Sequence, residues 1–360
     1  MPQKKALITG GCGFVGRHLL ARLARDDFEQ IWIIDNLSTG KDPGTWEKPV
    51  VQRHGPGPNP DTGIFHLEGS DTPIHFIKAD FLAIALAELG MTPSIGVPKL
   101  PPFDEIYHLA SVVGGRQVID NDPLAVGIDL GIDSTFFLWA AKVNRPERIL
   151  YASSSAAYPI SLQEMGSKIA LREEMIDFAG NLGKPDYTYG WSKLTGEYLG
   201  RIAVDKYKLK VGVVRPFSGY GEDQEPVYPF PAIALRVAAR QAPVRVWGSG
   251  LQGRDFVHID DACEACVRTC RLVSDASGVN IGSGKLTTFI ELARRMVEIE
   301  GYAADVVGQK DMPVGVGARF CDPTHMKKVL NWEPTISLDD GIARALAFAK
   351  RRLAMGIKPE

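Results

Sequence analysis

Lys5-Ala6-Leu7-Ile8-Thr9-Gly10-Gly11-Cys12-Gly13-Phe14-Val15-Gly16 is an apolar run broken by glycines at positions 10, 11, 13 and 16. Lys5 to Thr9 has β character. Phe14 to Arg25 then places Val15, Leu19, Leu20 and Leu23 at helical spacing, and Ile31 to Ile34 is again a β run, ending at Asp35. The segment reads as strand, tight turn, helix, strand. Glycines at such a turn let backbone N–H groups approach a pyrophosphate and pack the helix N-terminus, with its partial positive charge, close to the strand. Gly10, Gly13 and Gly16 are the turn candidates, and Phe14 and Val15 open the helix. Asp35 stands 19 residues beyond Gly16, where a carboxylate accepts hydrogen bonds from an adenosine ribose and repels a 2′-phosphate. The expected cofactor is therefore NAD, not NADP.

Outward from this unit, β runs recur at His75 to Ile77, Ile106 to Leu109, Ile149 to Ala152 and Val211 to Val214, with helical segments between several of them. That alternation predicts an α/β fold with a doubly wound parallel sheet over residues 1–215. Beyond about residue 216 shorter strands and helices predict a smaller lobe, 216–360. Residues 42–70 hold Pro43, Pro49, Pro56, Pro58 and Pro60 without periodicity and read as a loop insertion, either a functional lid or a surface excursion.

With 41 Lys+Arg against 43 Asp+Glu, the chain has no net field to attract nucleic acid or an anionic membrane, so an anionic ligand must be held by local groups. No apolar stretch approaches 18 residues in this reading, and Met1 to Thr9 is too short for the apolar region of a signal peptide. Five scattered cysteines form no disulfide framework, and a reducing cytoplasm is the expected setting. Cys263, Cys266 and Cys270 follow the i, i+3, i+7 spacing of a buried helical stripe, and no second ligand pair accompanies them, so core packing is expected and no metal.

Tyr189 and Lys193 are four residues apart, so on a helix they share a face. A lysine ammonium beside a phenol favours its ionised form, which suits a base, although the same spacing also describes a solvated helix face. Ser153-Ser154-Ser155 follows the fifth strand and reads either as a strand end or as a source of substrate hydroxyl contacts.

Thr9-Gly10-Gly11-Cys12-Gly13-Phe14-Val15-Gly16 resembles the TGGxGFxG opening of the extended short-chain dehydrogenase/reductases, the nucleotide-sugar epimerases and dehydratases. Asp35-Asn36-Leu37-Ser38, Asp80 after Lys78-Ala79, and His108-Leu109-Ala110-Ser111 resemble further motifs of that branch. So do Tyr189-x-x-x-Lys193, Arg215, Trp247 to Asp261 and Asn280 to Gly284, and the likeness spans nearly the whole chain. The resemblance implies a Rossmann-type domain carrying the catalytic residues, bound NAD, a nucleoside-diphosphate sugar as substrate and a homodimer. It implies catalytic roles for Ser154, Tyr189 and Lys193. It implies cofactor contacts from Gly10, Gly13, Phe14, Val15, Gly16, Asp35, Asn36, Asp80, Phe81, Leu109, Ala110, Tyr189 and Lys193. Sugar or diphosphate contacts are implied for Ser154, Gly114, Ser218, Arg254 and Arg319.

The local likeness is greatest to the GDP-mannose 3,5-epimerases, in Tyr151-Ala152-Ser153-Ser154, Tyr158-Pro159 and Trp247 to Phe256. Those enzymes carry a Cys two residues after the catalytic Ser and a Lys past the sixth strand. Here Ala156 replaces the Cys, and 221–231 contains no Lys. Family dehydratases follow their Thr with Asp-Glu, where this chain has Ser155 and Ala156. Asp129 and Ser218 each stand where most relatives have Asn. The expected activity is C4 epimerisation through a transient 4-keto sugar, with a GDP-mannose 3,5-epimerase-like or other NAD-dependent sugar epimerase or dehydratase as the alternative. A 4-keto-sugar reductase using NADPH fits Asp35 poorly, and a non-catalytic NAD-binding regulator fits the retained Ser, Tyr and Lys poorly.

Overall fold

A computed structural model describes residues 4–56, 61–112, 120–312, 314–357 and 359. The strands are β1 (Lys5–Thr9), β2 (Gln30–Asp35), β3 (Val51–Pro56), β4 (Thr62–Leu67), β5 (Ile74–Lys78), β6 (Glu105–His108), β7 (Arg148–Ala152), β8 (Val211–Pro216), β9 (Ser218–Tyr220), β10 (Val244–Trp247), β11 (Gly253–Arg254), β12 (Phe256–His258), β13 (Asp275–Ile281), β14 (Thr287–Thr288), β15 (Val306–Gln309) and β16 (Ala318–Arg319). The helices used below are α1 (Phe14–Leu23), α2 (Phe81–Glu88), α3 (Ile128–Trp139), α4 (Tyr187–Tyr207), α5 (Pro229–Ala238), α6 (Ile259–Leu272), α7 (Phe289–Glu300), α8 (Thr324–Leu330) and α9 (Leu338–Ala354).

Nine strands form one sheet in the order β13-β8-β7-β6-β1-β2-β5-β4-β3. The pairs from β13 to β5 are parallel, and β5–β4 and β4–β3 are antiparallel. Alternation along the strands explains the double winding, because successive side chains point to opposite faces. Ala6 and Ile8 of β1 join Leu19, Leu20, Cys263, Cys266 and Cys270 on one face, whereas Leu7 joins Phe81, Phe136 and Trp139 on the other. The cysteine stripe therefore packs α6 against the sheet, as its spacing predicted; burial pushes the Cys266 thiol up to about 12.

The chain does not leave the large sheet at residue 216. Strand β13 returns as its edge, and α6 packs on α1 and β8. The remainder of the second half, α5, α7 and α9 with the β10–β15 pair, has its own core around Phe230, Leu292, Met296 and Ile342.

Two expectations need correction. The 42–70 insertion is not a plain loop: β3 and β4 form a hairpin that extends the sheet beyond β5, with Phe65 and Leu67 buried and Trp46 packed edge-on to Phe65 at 5.8 Å. Its prolines hid a short alternation of inward and outward residues. The segment Pro123–Asn144 is 22 residues long with a mean hydropathy of 1.4, so it does meet the length and composition of a membrane span. Its apolar content has a packing reason, since Phe136, Phe137 and Trp139 cover the sheet.

Candidate active site

The glycine turn has the shape its residues imply. Gly10 adopts φ +71°, and a methyl group there would lie 2.9 Å from the Ala110 nitrogen. At Gly16 it would lie 2.5 Å from the Gly10 oxygen. β1, α1 and the Leu109–Ala110 segment can meet this closely only without side chains at these positions. Gly13 is the N-cap of α1 and no side chain caps the helix, which leaves the first-turn N–H groups of Phe14 and Val15 to an outside acceptor.

Asp35 ends β2 and is 8% exposed. Its Oδ2 accepts from the Cys12 N–H at 2.9 Å and its Oδ1 from the Leu37 N–H at 2.8 Å. Burial raises its carboxyl above the usual range, against those hydrogen bonds and Arg17. A methyl at Gly40 would come 2.7 Å from Asp35 Oδ1, so the glycine keeps open the space beside the carboxylate. Asn36 accepts from Ser38 N–H, and Asp80 is an exposed N-cap whose Oδ1 takes the Leu82 N–H at 2.9 Å. Phe81 differs from expectation: its ring is buried in the core, 5.8 Å from the His108 ring, which leaves only its backbone for a ligand. Leu109 and Ala110 are tied to β1, through Thr9 O and Thr9 Oγ1. These residues fit NAD: an uncapped helix N-terminus behind a side-chain-free turn, with a buried carboxylate beside an open glycine. Gly114 lies outside the described residues.

A further glycine seats the helix of Tyr189 and Lys193 on the turn that Ser154 opens. Ser154 caps the turn Ser155–Ala157, its Oγ accepting from Ala156 N–H at 3.1 Å. A methyl at Gly190 would lie 2.4 Å from the Ala156 oxygen, so α4 rests directly on this turn, and Asp186 N–H also donates to Ala156 O at 3.1 Å. Ser153 donates to Glu197 Oε1 at 2.5 Å, and Arg215 holds both oxygens of that carboxylate, at 2.9 and 2.7 Å. Ser153 and Arg215 thus tie the turn that follows β7 to α4 through Glu197. Lys193 is 3% exposed, with its ammonium 5.7 Å from the centres of both the Tyr189 and the Tyr151 rings. Burial favours neutral Lys193, but Asp133, Tyr189 and Asp129 outweigh it and hold the ammonium above its ordinary range.

Arg254 and Arg319 are register partners on adjacent strands, β11 and β16. Arg319 donates to Asp186 Oδ2 at 3.1 Å and to Gln163 Oε1; Arg254 donates to the Val316 carbonyl at 2.9 Å. Asp186 immediately precedes α4, so Arg319 is braced against the start of that helix. Ser218 opens β9 and donates its N–H to the Asp255 carbonyl at 2.9 Å.

The carboxylates around the site are committed. Asp223 binds Arg17 and His18, each at 2.7 Å, and Glu222 lies 3.2 Å from His258. Asp129 accepts from Ser111 Oγ and Val112 N–H, both at 2.6 Å. Sequence reasoning missed Gly190, Gly196, Asp133 and Glu197. The glycines left a signal, since glycine inside a helix costs stability and calls for a packing reason. The buried carboxylates looked like ordinary helix polar residues.

The profile of the NAD dependent epimerase/dehydratase family matches residues 6–282. The chain is 24% identical over 364 residues to a UDP-glucose 4-epimerase of Mycolicibacterium smegmatis, covering 97% of this chain and 99% of that one. It is 28% identical over 258 residues to GDP-mannose 3,5-epimerase 1 of Oryza sativa, covering 69% and 65%. The UDP-glucose 4-epimerase of Thermotoga maritima, solved with UDP-glucose, superposes with a TM-score of 0.75 at 22% identity over 98% of this chain and 99% of that one. With the glycine turn, the ribose-side carboxylate and the family match in agreement, the chain belongs to the NAD dependent epimerase/dehydratase family and uses NAD.

Proposed function

We propose that the protein inverts C4 of a nucleoside-diphosphate sugar, through a transient 4-keto sugar that stays in the site. Bound NAD supplies the redox chemistry at C4. Tyr189 takes the O4 proton and returns it, Lys193 holds the charge that favours an ionised phenol, and Ser154 orients the hydroxyl at the reacting carbon. Arg254 and Arg319 bind the diphosphate, whose paired oxygens suit planar guanidinium groups.

One observation carries this reading over a 3,5-epimerase. The position two residues past Ser154 is Ala156, 2% exposed, and the nearby Asp223 and Glu222 are engaged by Arg17, His18 and His258. Among the described residues, neither the position of the 3,5-epimerase Cys nor these two carboxylates offers a free group to exchange protons at carbon. The UDP-glucose 4-epimerase relative supports the same choice. We place the enzyme as a homodimer in a reducing cytoplasm. Five free, buried cysteines suit that compartment. The test is a thermal-shift panel of UDP-, GDP-, dTDP- and CDP-sugars followed by NMR of the products. A C4 epimer is expected; a 6-deoxy-4-keto product or a C3/C5 epimer would overturn the reading.

A further inference from the structure

Helix α3 carries two buried carboxylates one turn apart, Asp129 at 0% and Asp133 at 1% exposure. Asp133 is the one packed beneath α4, bonded to β6 and β7. Its Oδ2 accepts the Tyr151 hydroxyl at 2.5 Å, and its Oδ1 lies 3.2 Å from His108 Nε2. His108 Nδ1 in turn lies 2.8 Å from Thr9 Oγ1, so a buried polar chain runs from β1, beneath the glycine turn, to Tyr151. The Lys193 ammonium stands 5.7 Å from the centre of that same Tyr151 ring. A methyl at Gly196 would meet Tyr151 Oη at 1.9 Å and Asp133 Oδ2 at 2.8 Å, so the helix bearing Lys193 carries a glycine where it rests on this pair. A buried carboxylate costs several kcal/mol to desolvate, and packing alone would be better served by an apolar side chain.

We propose that Asp133, held by Tyr151 and His108, is the positioning residue of Lys193 and the buried counter-charge that keeps it over Tyr151 and beside Tyr189. The inference rests on Lys193 being the catalytic lysine, as proposed above. The groups around Lys193 agree on where the positive charge sits. Against the burial that favours neutral lysine, Asp133 contributes most, ahead of Tyr189 and Asp129. His108 is driven the other way: burial lowers it below the ordinary imidazole range, Lys193 adds to that, and Asp133 and Asp129 oppose it only partly. Tyr151 keeps its proton, since burial and then Asp133 push its phenol well above the ordinary range. Glu197, on the same helix, is bound by Arg215 and Ser153.

The test follows the Lys193 ¹³Cε resonance of the lysine-labelled holoenzyme, assigned with Lys193→Arg, together with the pH profile of turnover on UDP-glucose or the panel member that replaces it. In Asp133→Asn the resonance titrates at lower pH than in wild type and the alkaline limb of turnover moves the same way. Turnover near neutral pH falls by on the order of tenfold, with KM within about twofold. A resonance and limb that stay in place while the melting temperature falls would reduce Asp133 to a packing role. A second measurement needs no variant: in the wild-type holoenzyme Lys193 stays charged at neutral pH, and a neutral lysine there overturns the proposal. Lys193→Met separates the two readings. Full turnover in that variant removes the catalytic assignment of Lys193, whereas an inactive Lys193→Met beside an unmoved Asp133→Asn removes only the role of Asp133.

Discussion

Single side chains decide which proton moves. With Tyr189 as the proposed base, Tyr189→Phe should lower turnover by on the order of 10²-fold or more while NAD remains bound. On the proposed C4 reading no proton leaves carbon, so turnover in D2O should give product free of deuterium on carbon. Deuterium at C3 or C5 in the product NMR would refute C4 epimerisation. Asp35 is the proposed ribose partner that sets the choice of dinucleotide. Asp35→Ala loses a charge-assisted hydrogen bond to the ribose and should weaken NAD binding by on the order of tenfold, measured by calorimetry on cofactor-stripped protein. Equal affinity of the native protein for NADP would contradict that role.

At the scale of elements, close approach and buried charge do the holding. Helix α4 touches β7 only because residue 196 is glycine: an alanine there would place its methyl 1.9 Å from Tyr151 Oη. Gly196→Ala should therefore cost about 1–3 kcal/mol in denaturant unfolding, and Tyr151→Phe in the same chain should not relieve it, because ring carbon Cζ would still lie 2.2 Å from the methyl. Helices α1 and α6 are joined to the segment before α5 by a charged cluster in which His18 lies 2.7 Å from Asp223 and 3.7 Å from Asp260. Burial works against charged His18, but the hydrogen bonds and charges of both aspartates raise it to about 9 from 6.5. A folded-state value above the unfolded one means that the stabilisation is full below pH 6.5 and is lost as pH rises through about 9. His18→Gln should thus lower the melting temperature clearly at pH 6 and much less at pH 9.5, a difference that thermal scans at the two values would read. An equal loss at both would mean that packing, not charge, is what His18 supplies.

For the whole molecule, the surface formed by Pro123–Val126, α3 and α4 leaves large apolar groups in water. Leu124 is 86% exposed, Ile128 54% and Tyr198 51%, and Trp191 and Tyr187 are also exposed. Two copies pairing this surface about a two-fold axis would cover it and give the same patch to both sides, the commonest form of closed oligomer. Light scattering at micromolar concentration should return twice 39.3 kDa. A mass of 39.3 kDa would contradict the dimer, and Trp191→Glu should shift the native protein toward that mass.

The sequence by itself determined the parallel part of the sheet and the cofactor turn, because these depend on short-range pattern: alternation along strands, helical spacing, and glycines where backbone meets phosphate; the roles of Ser154, Tyr189 and Lys193 rest on likeness to a family. The four-residue step from Tyr189 to Lys193 is local geometry as well. The β3–β4 hairpin was hidden because prolines mask alternation, and the role of Phe81 because a ring entering the core and a backbone facing a ligand leave the same letter in the sequence. Only the tertiary structure showed that Asp133, on α3, meets Tyr151 on β7 beneath Lys193 on α4, or that Arg254 and Arg319 are neighbours. The physical reason is that the worth of a buried charge depends on the partners that desolvate and neutralise it, and those partners come from distant parts of the chain.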